Sequence, residues 1–253
     1  MDLQPQRAPE IDARPNNNLL RKLNSADYGL LTRQLEACRL PAGDVLYNPG
    51  DDVAVVYFPC GASLTSYLIA SEDGRDVETV LIGREGAIGG IVSQGYLPAY
   101  SRISVKFGGD FLRLRVAALE AAKLKSPTLR NLFARYADCV VAQLFQATAC
   151  NAIHTIEQRT AKWILAAMDR TGSSLVPLTH EQLATMLGVG RSYTSRVVQS
   201  FKAEAVLETR RGALLVLDKD ELQARSCLCN ESVRNHFEEV LSGVYPPDVA
   251  EPV

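Results

Sequence analysis

The sequence predicts an α+β protein with an antiparallel, jelly-roll-like β-roll, a long dimerisation helix and a C-terminal winged helix-turn-helix. Short strands separated by glycine and aspartate turns predict the roll. Ser126-Pro127, a helix cap followed by a proline suited to the first helical position, marks the start of the long helix. Residues 179–198 have the pattern of two short helices joined at a glycine, which is typical of a DNA-binding helix-turn-helix.

Length and composition suit a folded protein of one or two domains, with 253 residues, 47% hydrophobic content and a formal net charge of −2. No apolar run approaches the ~18 residues that a membrane-spanning helix needs. Residues 1–18 are polar and lack the apolar core of a signal peptide, so we interpret them as a flexible tail. We therefore expect a cytoplasmic protein with no membrane partner.

Residues 19–125 form the predicted sensor domain, a roll or barrel of antiparallel strands with flanking helices. Leucines over residues 19–36 indicate a short helical lead-in, and the turn residues of 40–51 surround a first strand. Glycine turns separate the strands that follow. The further strand candidates are residues 53–59, 63–69, 77–82, 101–107 and 111–116, with turns at Asp73-Gly74 and Gly108-Gly109.

Residues 126–153 form the predicted dimerisation helix, on which apolar side chains recur at near-heptad spacing. A seam on a helix of this length needs a partner, and we expect that partner to be a second copy of the chain. The alternative is that the helix packs along its own roll, and both can hold for different faces. The predicted dimer interface comprises Leu129, Phe133, Tyr136, Val140, Leu144 and Ala147.

Residues 154–253 form the predicted DNA-binding domain, with a terminal helix over about residues 230–241. Thr179 and Gln182 have the spacing of a capping box, and Gly188 suits the end of the first short helix. The second helix starts near Gly190-Arg191. Its apolar face, which we expect to point inward, comprises Thr194, Val197, Val198 and Phe201.

The polar face of the second helix is the predicted DNA-reading surface, because arginine, serine and glutamine bond base edges or phosphates. A β-hairpin over residues 205–217 follows as a wing, with its turn at Arg211-Gly212. Residues 191–211 hold five Arg or Lys and two Glu, a local net charge of +3. The predicted DNA-binding residues are Thr179, His180, Arg191, Ser192, Tyr193, Ser195, Arg196, Gln199, Lys202, Arg210 and Arg211.

The sequence predicts neither a catalytic site nor a metal or cofactor site. Residues 40–116 contain no histidine, which argues against a roll-fold metalloenzyme. Glu85, Asp73 and Glu78 are interpreted as turn and solvent-facing charges. The six cysteines form no Cys-x-x-Cys pair and are expected to be mostly small buried side chains. The close pair Cys227 and Cys229 leaves a redox response open.

The order of the predicted elements resembles the bacterial Crp–Fnr family of transcription regulators. The residues that carry the resemblance are segments 41–51 and 82–89, Asp73-Gly74-Arg75, Glu157-Gln158-Arg159 and the 179–198 motif. The resemblance spans roughly residues 19–230. It implies a homodimer that binds palindromic DNA and contacts RNA polymerase.

The chain departs from the cyclic-AMP receptors of that family at the effector site. Those receptors carry an acid for the ribose hydroxyl and an Arg-Ser pair for the cyclic phosphate, where this chain has Gly90 and Tyr100-Ser101. Arg102 substitutes only if the loop shifts register, and otherwise Tyr100 fills the pocket together with apolar neighbours. The predicted effector pocket comprises Glu85, Gly89, Gly90, Tyr100, Ser101 and Arg102.

Other effectors of the family fit no better. Iron–sulfur sensors of the family need an N-terminal group of cysteines, and no cysteine precedes Cys38. Haem sensors need axial ligands in the roll, commonly histidine, and the only histidines are His154, His180 and His236. Ser192 also stands where the family pattern has a glutamate, which predicts an altered half-site. The sequence therefore predicts a DNA-binding transcription regulator with an unknown effector that is not cyclic AMP. The alternative is a ligand sensor that acts through protein–protein contacts.

Overall fold

The computed structural model describes residues 14–70, 72, 76–93 and 95–245. The predicted tail over residues 1–18 lies mostly outside this range, as do the Asp73-Gly74 turn and Arg75. Where the tail is described, Asn17 is fully buried. Its side chain accepts a hydrogen bond from the Leu20 amide and so caps the first helix.

The described residues of the N-terminal part form two short helices and seven strands, and the strands make two antiparallel sheets. One sheet has the strand order β1-β7-β3 and the other β2-β6-β4-β5, and the described strands leave both sheets open rather than closing a barrel. The predicted antiparallel roll is confirmed, but the helical lead-in ends at Thr32 and is followed by a strand that was not predicted. The elements are α1 (Asn18–Arg21), α2 (Ser25–Thr32), β1 (Glu36–Leu40), β2 (Val45–Tyr47), β3 (Val55–Pro59), β4 (Leu64–Ala70), β5 (Asp76–Ile82), β6 (Arg102–Phe107) and β7 (Gly109–Arg115).

Two helices follow the roll, α3 (Val116–Lys125) and α4 (Pro127–Ile153). The predicted start of α4 is confirmed, since the Ser126 hydroxyl accepts a hydrogen bond from the Leu129 amide at 3.0 Å. The first half of α4 packs against the chain's own roll. Phe133 meets Phe58 of β3 edge-to-face, with ring centroids 6.4 Å apart.

This packing corrects half of the predicted dimer interface. Leu129, Phe133 and Tyr136 have at most 1% of their surface exposed within the single chain, so they have no surface left for a partner. The reason is that the apolar seam of α4 packs against the roll over the first turns of the helix. Apolar burial of this kind contributes about 25 cal/mol per Å² wherever the covering atoms come from.

In the C-terminal part, up to residue 245, the structure shows a three-stranded sheet and five helices around a second core. Its sheet has the order β8-β10-β9, and its first strand was not predicted. No helix in the described residues is long and apolar enough to cross a membrane. The elements are α5 (Ile156–Thr171), β8 (Leu175–Val176), α6 (His180–Leu187), α7 (Arg191–Ala203), β9 (Leu207–Arg210), β10 (Ala213–Val216), α8 (Lys219–Ala224) and α9 (Cys229–Ser242).

Candidate DNA-binding surface and its junction with the roll

The predicted helix-turn-helix is formed by α6 and α7. Thr179 and Gln182 form a reciprocal capping box at the start of α6. Gly188 ends α6 with φ +67°, a left-handed conformation that favours glycine. The guanidinium of Arg159 in α5 donates to the Leu187 carbonyl at 2.9 Å, so α5 satisfies a carbonyl of the turn. These contacts fix the angle at which α7 leaves the turn.

The α7 helix divides into a buried and an exposed face. Thr194, Val198 and Phe201 are fully buried, and Val197 is partly buried against the same core. The predicted DNA-reading face is exposed, apart from the half-buried Ser195. Its exposed members on α7 are Arg191, Ser192, Tyr193, Arg196, Gln199 and Lys202.

Four of the predicted DNA-binding side chains have contacts that orient them. The Arg196 guanidinium lies over the Tyr193 ring, 5.2 Å from its centroid, which restricts its rotamers. His180 Nδ1 and Ser195 Oγ lie 3.0 Å apart and form a hydrogen bond between α6 and α7. Burial, and secondarily the charge of Arg191, lower the pKa of His180. A neutral His180 thus brings no charge to DNA at neutral pH.

The predicted wing is the β9–β10 hairpin, whose two turn residues are Arg211 and Gly212. Arg210 pairs with Glu208 at 2.8 Å, so part of its charge is compensated. Arg211 is exposed at the tip. No carboxylate in the described part of the chain forms an ion pair with Arg211, Arg191 or Arg196. These three exposed arginines thus retain their full charge.

The predicted effector pocket is not assembled as expected. A Cβ at Gly90 would lie 2.9 Å from a methyl carbon of Val116, so an acid at this position has no room. Gly89 has φ +113°, and a Cβ there would lie 2.3 Å from the Val55 carbonyl oxygen. The backbone at Gly89 and Gly90 thus packs closely against Val55 of β3 and Val116, which leaves no space for a side chain that would bind a nucleotide.

The remaining pocket residues also depart from the prediction. Tyr100 is 88% exposed and does not fill the pocket. Arg102 is paired with Asp76, so its charge is already compensated, while Ser101 is buried. The interior instead holds Tyr47, and Tyr67 packs partly buried against the same core. Burial raises the pKa of Tyr67, which hydrogen-bonds to the Gly89 backbone. Burial also raises the pKa of Tyr47 to about 12, and its hydroxyl donates to the Val55 carbonyl at 2.6 Å.

Two acids interpreted as solvent-facing are in fact paired. Glu78 has a fully buried side chain and pairs with Lys106 across the sheet, and burial raises its pKa. Glu85 lies at the junction of the roll with α5, where its carboxylate accepts a hydrogen bond from Arg170 Nε at 2.9 Å. Their sequence neighbours gave no sign of these partners, which come from distant elements.

The loop between β5 and Gly89 docks onto α4 as well as α5. The Tyr136 hydroxyl donates to the Ala87 carbonyl and accepts from the Ala87 amide, both at 3.0 Å. A Cβ at Gly86 would lie 2.0 Å from that hydroxyl oxygen. At Gly83 a Cβ would lie 2.9 Å from the Cβ of Arg170. The glycines of segment 82–89 therefore permit contact with two helices.

An exposed apolar surface runs along the second half of α4. Val141, Leu144 and Phe145 are 44%, 40% and 72% exposed. Of the predicted dimer residues, Leu144 belongs to this surface, and Val140 and Ala147 are partly buried beside it. Val141 and Phe145 were missed because the sequence shows only that apolar residues recur, without showing which helix face the roll covers.

The structure also brings together four side chains that sequence analysis did not connect. Cys150 and His154 from the end of α4 meet Cys227, which precedes α9, and Cys229, the first residue of α9, with all four ligand atoms within 4.8 Å of one another. Cys150 and Cys227 are 77 positions apart in the sequence. Only the local spacings, Cys-x-x-x-His and Cys-x-Cys, were available as a signal.

Comparison with known proteins agrees with this architecture. A family model described as the Crp-like helix-turn-helix domain matches residues 158–225, from α5 to the end of α8. No curated protein sequence matches the chain significantly.

Solved structures match the roll and the long helix as well. A Crp/Fnr-family regulator from Eubacterium rectale has 18% identity and a TM-score of 0.62, with 84% of this chain and 97% of that chain covered. FixK2 from Bradyrhizobium japonicum has 13% identity and a TM-score of 0.66, with 76% and 98% covered. A Crp-family regulator from Thermus thermophilus has 18% identity and a TM-score of 0.61, with 75% and 96% covered. Residues 158–225 thus match the Crp-like helix-turn-helix domain, and the chain has the fold of these Crp/Fnr-family structures.

Proposed function

We propose that this protein is a sequence-specific DNA-binding transcription regulator that uses α7 to read the major groove. The observation that carries the proposal is the set of exposed arginines Arg191, Arg196 and Arg211, whose charges no described carboxylate pairs. The start of the second helix of a helix-turn-helix meets base edges, and arginine bonds guanine O6 and N7 in a bidentate way. A wing arginine meets phosphates.

The protein acts as a homodimer on a palindromic site in this proposal. The exposed surface of Val141, Leu144 and Phe145 supports a pairing of α4 with its twin, because an exposed apolar stripe on a long helix marks an interaction site. Two recognition helices related by a two-fold axis then read two half-sites about 34 Å apart. RNA polymerase is the protein partner expected of a bound regulator.

The roll does not respond to cyclic AMP in this proposal. A cyclic nucleotide needs a charged partner for its phosphate and an acceptor for its ribose hydroxyls. The crowding at Gly90 and the pairing of Arg102 with Asp76 leave neither group available. The effector, if there is one, acts through different chemistry. The loop contacts with Tyr136 and Arg170 are a route by which a change in the roll reaches α4 and α5.

A gel-shift titration with random-sequence duplex DNA at low and moderate salt tests the proposal. We expect binding that weakens with salt, because phosphate contacts release counterions. The double variant Arg196→Ala/Arg211→Ala should lose most of this affinity. The matched control Arg33→Ala, which removes an exposed arginine at the C-cap of α2, should bind as the wild type does. Equal binding by all three proteins, or none by a folded wild type, favours a sensor that acts through protein contacts.

A further inference from the structure

The cluster of Cys150, His154, Cys227 and Cys229 lies outside the DNA-binding surface and plays no part in the proposed function. Cys150 is in the last turn of α4 and His154 is its C-cap. Cys229 is the first residue of α9, and Cys227 precedes the Leu228 N-cap. Four side chains of the types that bind transition metals therefore converge where three helices meet, since Lys162 of α5 adjoins them.

The distances between the sulfur and nitrogen atoms of the cluster match those between the ligands of a single tetrahedral ion. Cys150 Sγ and Cys227 Sγ lie 3.6 Å apart, and Cys229 Sγ lies 3.5 Å from His154 Nδ1. A zinc ion with Zn–S bonds of about 2.3 Å and a Zn–N bond of about 2.0 Å sets ligand separations of roughly 3.5–3.8 Å. All four ligand atoms lie within 4.8 Å of one another, so small rotations suffice to surround one ion.

The surroundings of the cluster also suit a closed site. The three cysteines have at most 5% of their surface exposed and form a small buried cluster of their own. The Gln146 amide donates to Cys229 Sγ at 3.1 Å, a contact of the kind that orients a thiolate ligand from outside the coordination sphere. The site therefore has a second layer of support.

The charge of the site is balanced by a buried lysine. A divalent ion bound by three thiolates and a neutral imidazole has a net charge of −1. Lys162 is 6% exposed and packs against the Trp163 ring, with Nζ 4.1 Å from the ring centroid. No carboxylate among the described residues forms an ion pair with it. Its ammonium group lies close enough to the cysteines to interact with all three.

Two other uses of these cysteines fit less well. A Cys150–Cys227 disulfide joins two of the side chains but leaves Cys229 and His154 converging without a role. An iron–sulfur cluster spreads its ligands around several metal atoms, whereas these ligand atoms are packed around the space of one. We propose that Cys150, His154, Cys227 and Cys229 bind one zinc ion in a closed, structural Cys3His site that joins the end of α4 to the start of α9.

Metal content of the full-length protein, purified with a thiol reductant and without a metal-affinity tag, tests this inference. We expect about one zinc per chain by elemental analysis. Cys227→Ala and Cys229→Ala should each lose stoichiometric zinc. The matched control Cys139→Ala, which removes another buried cysteine of α4, should retain it.

Cobalt substitution of the wild type gives a second readout that does not depend on whether the variants fold. We expect the intense visible bands of tetrahedral Co²⁺ together with thiolate charge-transfer absorption, and X-ray absorption of the zinc form should show three sulfur ligands and one nitrogen. A reduced wild type that takes up neither zinc nor cobalt overturns the inference. It is also overturned if Cys227→Ala and Cys229→Ala retain wild-type zinc content and an unchanged cobalt spectrum.

Discussion

Glu85 of the roll and Arg170 of α5 form an ion pair with a 2.9 Å contact between Oε1 and Nε. The same Nε lies 3.2 Å from the Leu81 carbonyl, and Arg170 Nη1 donates to the Ala166 carbonyl at 3.2 Å. One guanidinium thus bonds to its own helix at Ala166, to β5 at Leu81 and to the loop that follows β5 at Glu85. This pair connects the roll to the helix that precedes the DNA-binding helices.

Removal of this pair should destabilise the protein. Arg170→Met leaves Glu85 without its cation and removes the guanidinium hydrogen bonds to Leu81 and Ala166, and we expect a loss of about 1–3 kcal/mol in the free energy of unfolding. Urea denaturation measures this loss. The control Glu36→Gln removes an ion pair with Arg113 in which the two side chains are 65% and 51% exposed, and it should lower the free energy of unfolding far less. Equal effects of the two changes would show that the junction pair adds no more than a surface pair.

Arg196 and Arg211 should differ in what they contribute to DNA binding. Arg196→Ala is expected to cost about 1–3 kcal/mol and to relax the preference at one base pair per half-site, as for a bidentate guanine contact. Arg211→Ala should weaken all sequences alike and lower the salt slope by about 1. Binding titrations on matched and mutated sites at several salt concentrations measure both. If sequence preference changes only with Arg211→Ala, the two roles are reversed.

A charge on the exposed face of α4 should separate the protomers. Leu144→Glu and Phe145→Glu each place a carboxylate on a surface that we expect to be buried against a second chain, where an unpaired charge is costly. Light scattering should show a monomer, and DNA affinity should fall. Leu124→Glu, at a 76% exposed leucine of α3, is the control and should remain dimeric. A monomeric wild type, with and without DNA, excludes the proposed dimer.

Cyclic AMP should neither bind at micromolar concentration nor raise DNA affinity. Only a ligand with different affinities for the two states of a regulator can shift them, and this roll offers the nucleotide no charged anchor. Gly90→Glu should therefore lower stability rather than create a site, because its Cβ would meet Val116 at 2.9 Å. Calorimetry and gel shifts with and without the nucleotide measure these outcomes. Saturable micromolar binding with a matching rise in DNA affinity contradicts this reading of the roll.

Local signals in the sequence predicted most of the fold. Ser126-Pro127 begins α4, and the capping box of Thr179 and Gln182 begins α6, because capping chemistry depends on a few neighbouring residues. Gly188 ends α6 for the same reason. The face of α4 that meets the roll depends on tertiary packing, so the sequence assigned Phe133 to the wrong partner. The apolar periodicity of α4 is compatible with packing against the roll or against a second chain.

The site was predicted less completely than the fold. The DNA-reading face of α7 follows from helical periodicity, which is local. The partners of Glu85 and Glu78 are distant in sequence, and their pairing appears only after the chain has folded. The convergence of Cys150 and Cys227 has the same origin, because 77 residues separate them. Long-range pairs of titratable groups are what a single sequence reveals least.

Selection of binding sites from random duplex DNA, followed by sequencing, is the sharpest test of the proposed function. The wild-type protein should enrich a two-fold palindrome with half-site centres about 34 Å apart, roughly one helical turn. Arg196→Ala should enrich the same palindrome with one position per half-site relaxed. A folded wild type that enriches no sequence, or only a single asymmetric half-site, would contradict a dimeric regulator that reads DNA through α7.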